Sequence, residues 1–109
     1  MAKNTKATTV TIANAGTTTP TLTLDPNKIP LAIDIPAAFT GTSISFKASA
    51  QSGGPLEPLY FESTLYSVTV GVSRFISLNR AAFEGVKYVQ LVSNAAEGAA
   101  RDIILVTGE

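Results

Sequence analysis

The sequence predicts a single all-β domain, an antiparallel β-sandwich or a barrel of about eight or nine short strands. Short segments in which apolar and polar residues alternate recur at a spacing of roughly eight to twelve residues. Residues typical of turns, namely Gly, Pro, Asn and Asp, separate these segments. No segment has the longer period of an amphipathic helix, which argues against the α/β folds. The 109 residues are enough for one hydrophobic core.

The N-terminal part of the chain divides into a polar arm and a first strand. Residues 1–6 are polar and are predicted to form an arm that precedes a domain of residues 7–109. Residues 7–13 read ATTVTIA, so Val10 and Ile12 share one side of an extended chain and threonines occupy the other. This pattern predicts a strand with one buried and one solvated face.

The next segments predict a hairpin and a strand at the edge of a sheet. A turn at residues 14–16 and a second alternating segment at residues 20–24 predict a hairpin with the first strand. Asp-Pro-Asn at residues 25–27 predicts another turn. Residues 29–36 alternate again but include two prolines, which cannot donate to a ladder. We therefore expect this strand at a sheet edge, or passing from one sheet to the other.

The middle of the chain contains the clearest amphipathic strand. Residues 43–49, SISFKAS, place their apolar side chains on one side and Ser45 and Lys47 on the other. Residues 51–58 hold two glycines and two prolines and predict an exposed loop. A short strand is expected at residues 59–62. Residues 65–72 predict a strand with Tyr66, Val68, Val70 and Val72 on one face, with a bulge or a close backbone approach at Gly71.

The C-terminal third contains the segment around which we expect the core to form. Residues 75–93 predict a strand, a single helical turn capped by Asn79, and a longer core strand that ends in YVQLVS. Residues 94–100 are small and predict a flexible connection. Residues 101–107, RDIILVT, predict a nearly continuous apolar strand in a central position.

The composition favours a protein that associates with other chains. Charged residues make up only 15% of the chain, against about 25% in ordinary soluble domains. Fourteen threonines and nine serines replace part of this charge, and the formal net charge is zero. A surface with so little charge repulsion favours association. The basic residues are scattered, so nucleic acid is not an expected partner, and the apolar runs are too short to predict a membrane span.

The residue types present predict no catalytic chemistry. The chain has no His and no Cys, which removes the commonest general base, the Ser-His nucleophile and most zinc sites. Carboxylate pairs such as Asp34 with Asp102, or Glu57 with Glu62, are interpreted as solvated surface groups. The oxygens of residues 25–27 are interpreted as part of a turn rather than a calcium site. We predict no catalytic residue, metal or cofactor, and no enzyme.

Three segments together resemble a known class of proteins. The order of IDIPAAFTGTSISFKAS, then LYSVTVG with RFISLN and FEGVKYVQLVS, then RDIILVTGE resembles small virion proteins of tailed bacteriophages. These are jelly-roll or related β-sandwich modules that decorate or cement a capsid, or sit on tails and fibres. The resemblance spans residues 33–107. Residues 87–93, KYVQLVS, are also similar to the core strand of carbohydrate-binding jelly rolls.

The resemblance implies a structural role. It implies a jelly-roll-like sandwich that binds across subunits of the major capsid protein, and forms a trimer with copies of itself, on the capsid surface of a virion assembled from proteins made in the host cytoplasm. The arm and the C-terminal tail would then make the contacts between subunits, and the loop 51–58 would face outward. The contact residues expected on this basis are Lys3, Asn4, Lys6, Thr8, Val106 and Glu109.

The alternative is a carbohydrate-binding module or a tail or fibre adhesin. Such a protein needs aromatic side chains beside amide or acidic groups on one face. The candidates in this chain are Tyr60, Glu62, Tyr66 and Gln90.

Overall fold

The computed structural model describes residues 5–109, which form eleven strands and one 3₁₀ turn, and it shows no helix long and apolar enough to cross a membrane in that range. The strands are β1 (Thr5–Ile12), β2 (Leu22–Thr23), β3 (Ile29–Asp34), β4 (Ser43–Ser49), β5 (Glu57–Pro58), β6 (Tyr60–Phe61), β7 (Thr64–Leu65), β8 (Ser67–Thr69), β9 (Phe75–Ser77), β10 (Tyr88–Ser93) and β11 (Arg101–Gly108). The 3₁₀ turn, Arg80–Phe83, precedes β10.

The strands form two antiparallel sheets and one small hairpin. One sheet has the order β1-β11-β3-β9, and the other has the order β2-β10-β4-β5, with β8 also paired to β4. The hairpin β6-β7 lies between β5 and β8 in the chain. When β5 and β8 are counted as one interrupted strand, the chain orders of the two sheets become 1-8-3-6 and 2-7-4-5. Strands 4 and 5 are neighbours in one sheet, and all the other successive strands alternate between the sheets. This order is that of a jelly roll, and it confirms the predicted single-domain β-sandwich.

The hydrophobic core lies between the two sheets. Its fully buried members include Ile12, Ile33, Ile103 and Leu105 from one sheet and Ile44, Phe46, Val89 and Leu91 from the other. Phe46, Tyr66 and Phe83 form an aromatic group with ring centroids 5.1 to 5.7 Å apart. The outward residues of β4 and β10 alternate with these, as the sequence predicts. The predicted central positions of β10 and β11 are also confirmed, since each has a strand on both sides.

Both predicted positions of β3, at a sheet edge or passing from one sheet to the other, are wrong, because β3 lies between β11 and β9 within one sheet. Pro30 is tolerated there for two reasons. The ladder with β9 covers only Ala32–Asp34, so Pro30 lies beyond its end, and the ladder with β11 shifts register between Val106 and Thr107 next to it. The shift leaves Leu31 as an additional residue on β3. It also breaks the predicted alternation, so that Pro30 is buried and Leu31 only half-buried.

The predicted hairpin between the first two strands is also wrong. β1 pairs with β11, whereas β2 pairs with β10 in the other sheet. The turn that follows β1 is present, with Gly16 N donating to Ala13 O at 2.9 Å and Ala15 at a φ of 66°. This turn carries the chain across to the second sheet instead of back along β1.

β2 is short because proline interrupts the segment that precedes it. Pro20 has no N–H to donate. The buried Thr19 beside it compensates, because its Oγ1 accepts a hydrogen bond from Leu91 N at 3.1 Å and its carbonyl accepts one from Gln90 Nε2 at 2.7 Å. Regular pairing then resumes only for Leu22 and Thr23.

Two further boundaries differ from the sequence prediction. β1 begins at Thr5, so the last two residues of the predicted arm pair with β11. β8 covers only Ser67–Thr69, and Val72 is 50% exposed instead of facing the core. The chain leaves the sheet at Gly71, where a Cβ would lie 2.9 Å from Nε of the Arg74 side chain. This neighbour is a side chain, so it does not bear out the predicted bulge or close backbone approach at Gly71. The loop 51–58 is largely exposed, as predicted, although its last two residues form β5.

Candidate functional site

The outward surface of the sheet β1-β11-β3-β9 forms an extended face with exposed apolar side chains. We call this surface the outer face. Ile104 of β11 lies opposite Thr9 on one side and Asp34 on the other, and Asp34 lies opposite Phe75. Residues directly opposite each other in a ladder point to the same side of the sheet, so these side chains form one row across all four strands. Phe75 is 64% exposed and Ile104 is 36% exposed.

The outer face continues on both sides of this row. The next row joins Ala7, Val106, Ala32 and Ser77, of which Ala32 is buried between its neighbours. The residues of the outer face are Ala7, Thr9, Thr11, Asp34, Phe75, Ser77, Asp102, Ile104 and Val106. Most of them are small or apolar, so the face suits contact with another protein surface.

The sequence contained a signal for this face. Apolar residues 103–106 are consecutive, and in a strand two of them must point away from the other two. Ile103 and Leu105 are fully buried, so Ile104 and Val106 face outward. A strand this apolar is expected to be covered on both faces. Within residues 5–109, only its inner face is covered.

The charges on the outer face are acidic. Asp34 and Asp102 are the two charged side chains on this surface in the part of the chain that the structure describes. Asp102 Oδ1 accepts a hydrogen bond from Thr11 Oγ1 at 2.7 Å. The two carboxylates lie on the neighbouring strands β3 and β11 of this exposed surface. Such a surface complements a partner with apolar side chains flanked by Lys or Arg.

The predicted inter-subunit residues do not lie together in the structure. Lys3 and Asn4 lie outside the described residues. Val106 is part of the outer face, whereas Thr8 faces the inner side, opposite the buried Leu105. Lys6 Nζ forms an ion pair with Asp25 Oδ2 at 3.1 Å, and the Glu109 carbonyl accepts a hydrogen bond from Arg80 Nη1 at 2.8 Å. The three side chains Lys6, Thr8 and Val106 therefore do not share one face.

The predicted carbohydrate-binding residues also separate into two groups. Tyr60 is 61% exposed on the small hairpin, and Glu62 lies exposed in its turn. Tyr66 instead packs against Phe46 and Phe83, and its hydroxyl accepts a hydrogen bond from Asn79 N at 2.8 Å.

Gln90, the fourth candidate, donates from Nε2 to Thr19 O. Tyr66 and Gln90 thus support the fold, while Tyr60 and Glu62 remain accessible.

A cleft of about 740 Å³ lies at one end of the sandwich. Residues 23–29, residues 84–88, Arg80 and Glu109 line it, with charged groups of both signs. Its aromatic side chain is Tyr88, and none of the four predicted carbohydrate-binding residues contributes. Tyr88 is one of the three tyrosines that could supply an aromatic platform for sugar binding, and the alternation in β10 directs its side chain outward.

A buried carboxylate holds the opposite set of loops together. The Glu97 side chain accepts hydrogen bonds from Thr40 N at 2.8 Å, Gly41 N at 3.0 Å and Arg101 Nε at 3.1 Å. Burial raises the pKa of Glu97, but the hydrogen bonds from Thr40, Arg101 and Gly41 outweigh it and leave this pKa below its ordinary value. The ionised form is therefore the one the fold stabilises.

This arrangement corrects two predictions. The sequence analysis interprets the carboxylates as solvated surface groups, but Glu97 is only 1% exposed. It also predicts flexible residues 94–100, but the backbone of Glu97 bonds to the first turn, with Ala15 N donating to Glu97 O at 2.7 Å and Glu97 N donating to Gly16 O at 3.1 Å.

Within residues 5–109, no group of three or more Asp or Glu side chains is placed to hold a metal ion. Comparison of the chain with protein-family models, with curated proteins and with solved structures finds no match.

Proposed function

We propose that this chain is a structural virion protein of a tailed bacteriophage that decorates and cements the capsid. In this proposal the outer face packs against subunits of the major capsid protein. The observation that carries the proposal is the exposed row that contains Ile104 and Phe75 on a face with few charges. The resemblance of residues 33–107 to small virion proteins indicates which partner to test.

The physical basis of cementing is the burial of this row. Covering apolar surface contributes about 25 cal/mol per Å², and an exposed aromatic side chain such as Phe75 supplies much of the available area. Asp34 and Asp102 at the same face favour a shell surface that presents Lys or Arg. A protein that binds only the assembled shell raises the free energy of shell disruption by mass action.

The proposal is tested by adding the purified chain to expanded shells that lack accessory proteins. Heat-induced disruption of the shells is followed by light scattering. We expect the chain to bind and to raise the disruption temperature, and we expect Phe75→Ser and Ile104→Thr to weaken both effects. Tyr60→Ser is the matched control, because Tyr60 is as exposed as Phe75 but lies on the hairpin.

Two results would contradict this assignment. Shells whose stability is unchanged by the chain would exclude the cementing role. Loss of binding in Tyr60→Ser with full binding in Phe75→Ser would place the contact on the hairpin instead of the outer face.

Carbohydrate binding is a second candidate, favoured by the accessible Tyr60 and by the end cleft with Tyr88. A chain that ignores shells but is retained on a column of host polysaccharide would support it. Tyr60→Ala and Tyr88→Ala then distinguish the hairpin from the cleft as the binding surface.

A further inference from the structure

β1 is the longest open strand edge among residues 5–109. It has eight residues and pairs with β11 along one side only. The strands at the other sheet edges, β2, β5, β8 and β9, have two or three residues each. Every second residue of an edge strand directs its N–H and C=O away from its neighbour. β1 therefore presents a row of unpaired backbone groups roughly 25 Å long.

Within residues 5–109, this edge has few of the features that usually prevent pairing with another chain. Protein edges are commonly protected by charge, proline, a bulge or a covering segment. Residues 7–12 contain no charged residue and no proline, and the register of β1 with β11 is unbroken. The single lysine of the strand, Lys6, is engaged with Asp25 in the turn after β2.

We infer that β1 of one copy pairs antiparallel with β1 of a second copy, across a two-fold axis at Thr8 or Thr9. The two four-stranded sheets then join into one sheet of eight strands. In both registers the inward residues of one β1 lie opposite inward residues of the other. The core side and the outer face therefore each continue across the junction.

The charges and side chains of β1 favour a second copy as the occupant. With the axis at Thr8, Lys6 lies opposite Val10, and with the axis at Thr9 it lies opposite Ile12, so the two lysines never oppose each other. The remaining pairs join threonine to threonine, alanine or valine, which suit a strand. The formal net charge of zero removes long-range repulsion between copies.

The pairing deepens the proposed function in one respect. It doubles the outer face, so that one pair presents two rows with Phe75 and Ile104 on a continuous surface. The use of this surface on a shell rests on the proposed function, but the pairing itself does not. Two-fold pairing also differs from the trimer that the resemblance implies.

The first experiment measures the mass of the full chain by sedimentation velocity over a range of concentrations. We expect a reversible dimer. Ala7→Lys with Thr9→Lys places like charges opposite each other in either register, and should raise the dimer dissociation constant by about tenfold or more. Ala7→Val with Thr9→Val changes the same exposed positions without charge and should retain the dimer.

The second experiment uses the absence of cysteine from the chain. A single Cys at the symmetry axis faces its own copy at a Cβ distance near that of a disulfide. We expect either Thr8→Cys or Thr9→Cys to give a covalent dimer on oxidation. Ser77→Cys is the control, because Ser77 is exposed on the same face but lies on β9, at the far side of the sheet.

Several results would overturn the inference. A chain that sediments as a monomer at every concentration would do so, as would a dimer that the two lysines leave intact. Cross-linking through Ser77→Cys in preference to the two β1 positions would place the contact elsewhere. Both experiments are made without shells, so they test the β1 pairing separately from the proposed function. A monomer that still stabilises shells would refute only the β1 pairing. A dimer that does not stabilise shells would refute only the capsid role.

Discussion

At the scale of single residues, Glu97 is the side chain on which three loops depend. Its carboxylate receives two backbone N–H groups from the corner at residues 40–41 and one donor from Arg101. Its own backbone bonds to the first turn. A buried charge of this kind stabilises the fold only while all its partners are present. If the carboxylate is lost, its donors remain buried without a hydrogen bond, and their desolvation free energy is no longer offset.

We therefore predict that Glu97→Gln lowers the free energy of unfolding by about 2 to 3 kcal/mol at pH 7. The amide keeps one acceptor but turns an NH₂ group toward a backbone donor. Urea unfolding measures the change. Glu57→Gln, in the exposed loop, is the control and should alter stability by less than about 0.5 kcal/mol.

The pH dependence of stability provides a second test of the same carboxylate. The pKa of Glu97 is lower in the folded chain than its ordinary value. The folded chain is therefore more stable with Glu97 ionised than with Glu97 protonated. This contribution is complete above the unfolded pKa of about 4.3 and is lost as the pH falls through the folded pKa. We predict that the difference between wild type and Glu97→Gln narrows between pH 5 and pH 3. A constant difference over that range of about two pH units would contradict the assignment.

Gly41 tests the packing around the same carboxylate. A Cβ at this position would collide with Ser93 Oγ and would lie 2.9 Å from Phe39 Cε2. Both neighbours are buried, so we predict that Gly41→Ala lowers the free energy of unfolding by about 2 kcal/mol or more, measured by urea unfolding. Gly98→Ala is the matched control, because its Cβ meets nothing closer than Arg101 Nη2 at 4.0 Å. Equal effects of the two substitutions would contradict this explanation.

At the scale of elements, the hairpin β6-β7 has a turn whose residues do not suit its backbone. Glu62 and Ser63 have φ values of 54° and 69°, the combination found in a type I′ turn, where Asn and Gly are preferred. We predict that Glu62→Asn with Ser63→Gly raises the free energy of unfolding by about 1 kcal/mol. Thermal unfolding should show a rise in Tm of about 4 to 8 °C.

The control for this turn makes the same chemical change in a strand. Ser67→Gly lies in β8, where no positive φ is required, and should lower stability because glycine loses more conformational freedom on folding. If Ser63→Gly also lowers stability, the strain in the turn is not the controlling factor.

The elements that the sequence predicts correctly are those whose pattern is complete within the strand itself. β4 and β10 alternate without interruption, and their burial follows the alternation along β10 and from Ser43 to Lys47 of β4. β3 is misplaced because its prolines are the reason to expect a sheet edge, whereas Pro30 lies beside a bulge in the ladder with β11, the other place in a sheet that tolerates proline. The partner of β1 is equally hidden, since β11 lies at the other end of the chain.

The candidate site follows the same division. The outward direction of Ile104 can be read from the four consecutive apolar residues of β11, but the row that it forms with Phe75 requires the order of the strands. The burial of Glu97 cannot be read from its neighbours in the sequence, because its two backbone donors come from a distant corner and only Arg101 is local. The order of the strands and the burial of Glu97 therefore depend on contacts between residues far apart in the sequence, which local patterns do not reveal.

At the scale of the whole molecule, the first and last described strands are neighbours. Thr5 pairs with Gly108, so their Cα atoms lie about 5 Å apart. A connection between the two ends is therefore possible without moving any strand. We predict that a circular permutant with a short Gly-Ser linker between residues 109 and 1, opened between Gly53 and Gly54, folds with a stability within about 2 kcal/mol of the original chain.

The position of the opening distinguishes a free loop from an anchored one. Gly53 lies in an exposed loop, and a Cβ there would meet no atom within 4 Å. An opening between Glu97 and Gly98 instead frees the backbone that holds the buried carboxylate, so this second permutant should lose more stability than Glu97→Gln alone. Urea unfolding of the two permutants measures the difference. Equal stability would mean that the loops at the Glu97 end are no more tightly held than the loop 51–58, and would contradict the role assigned to Glu97 at every scale.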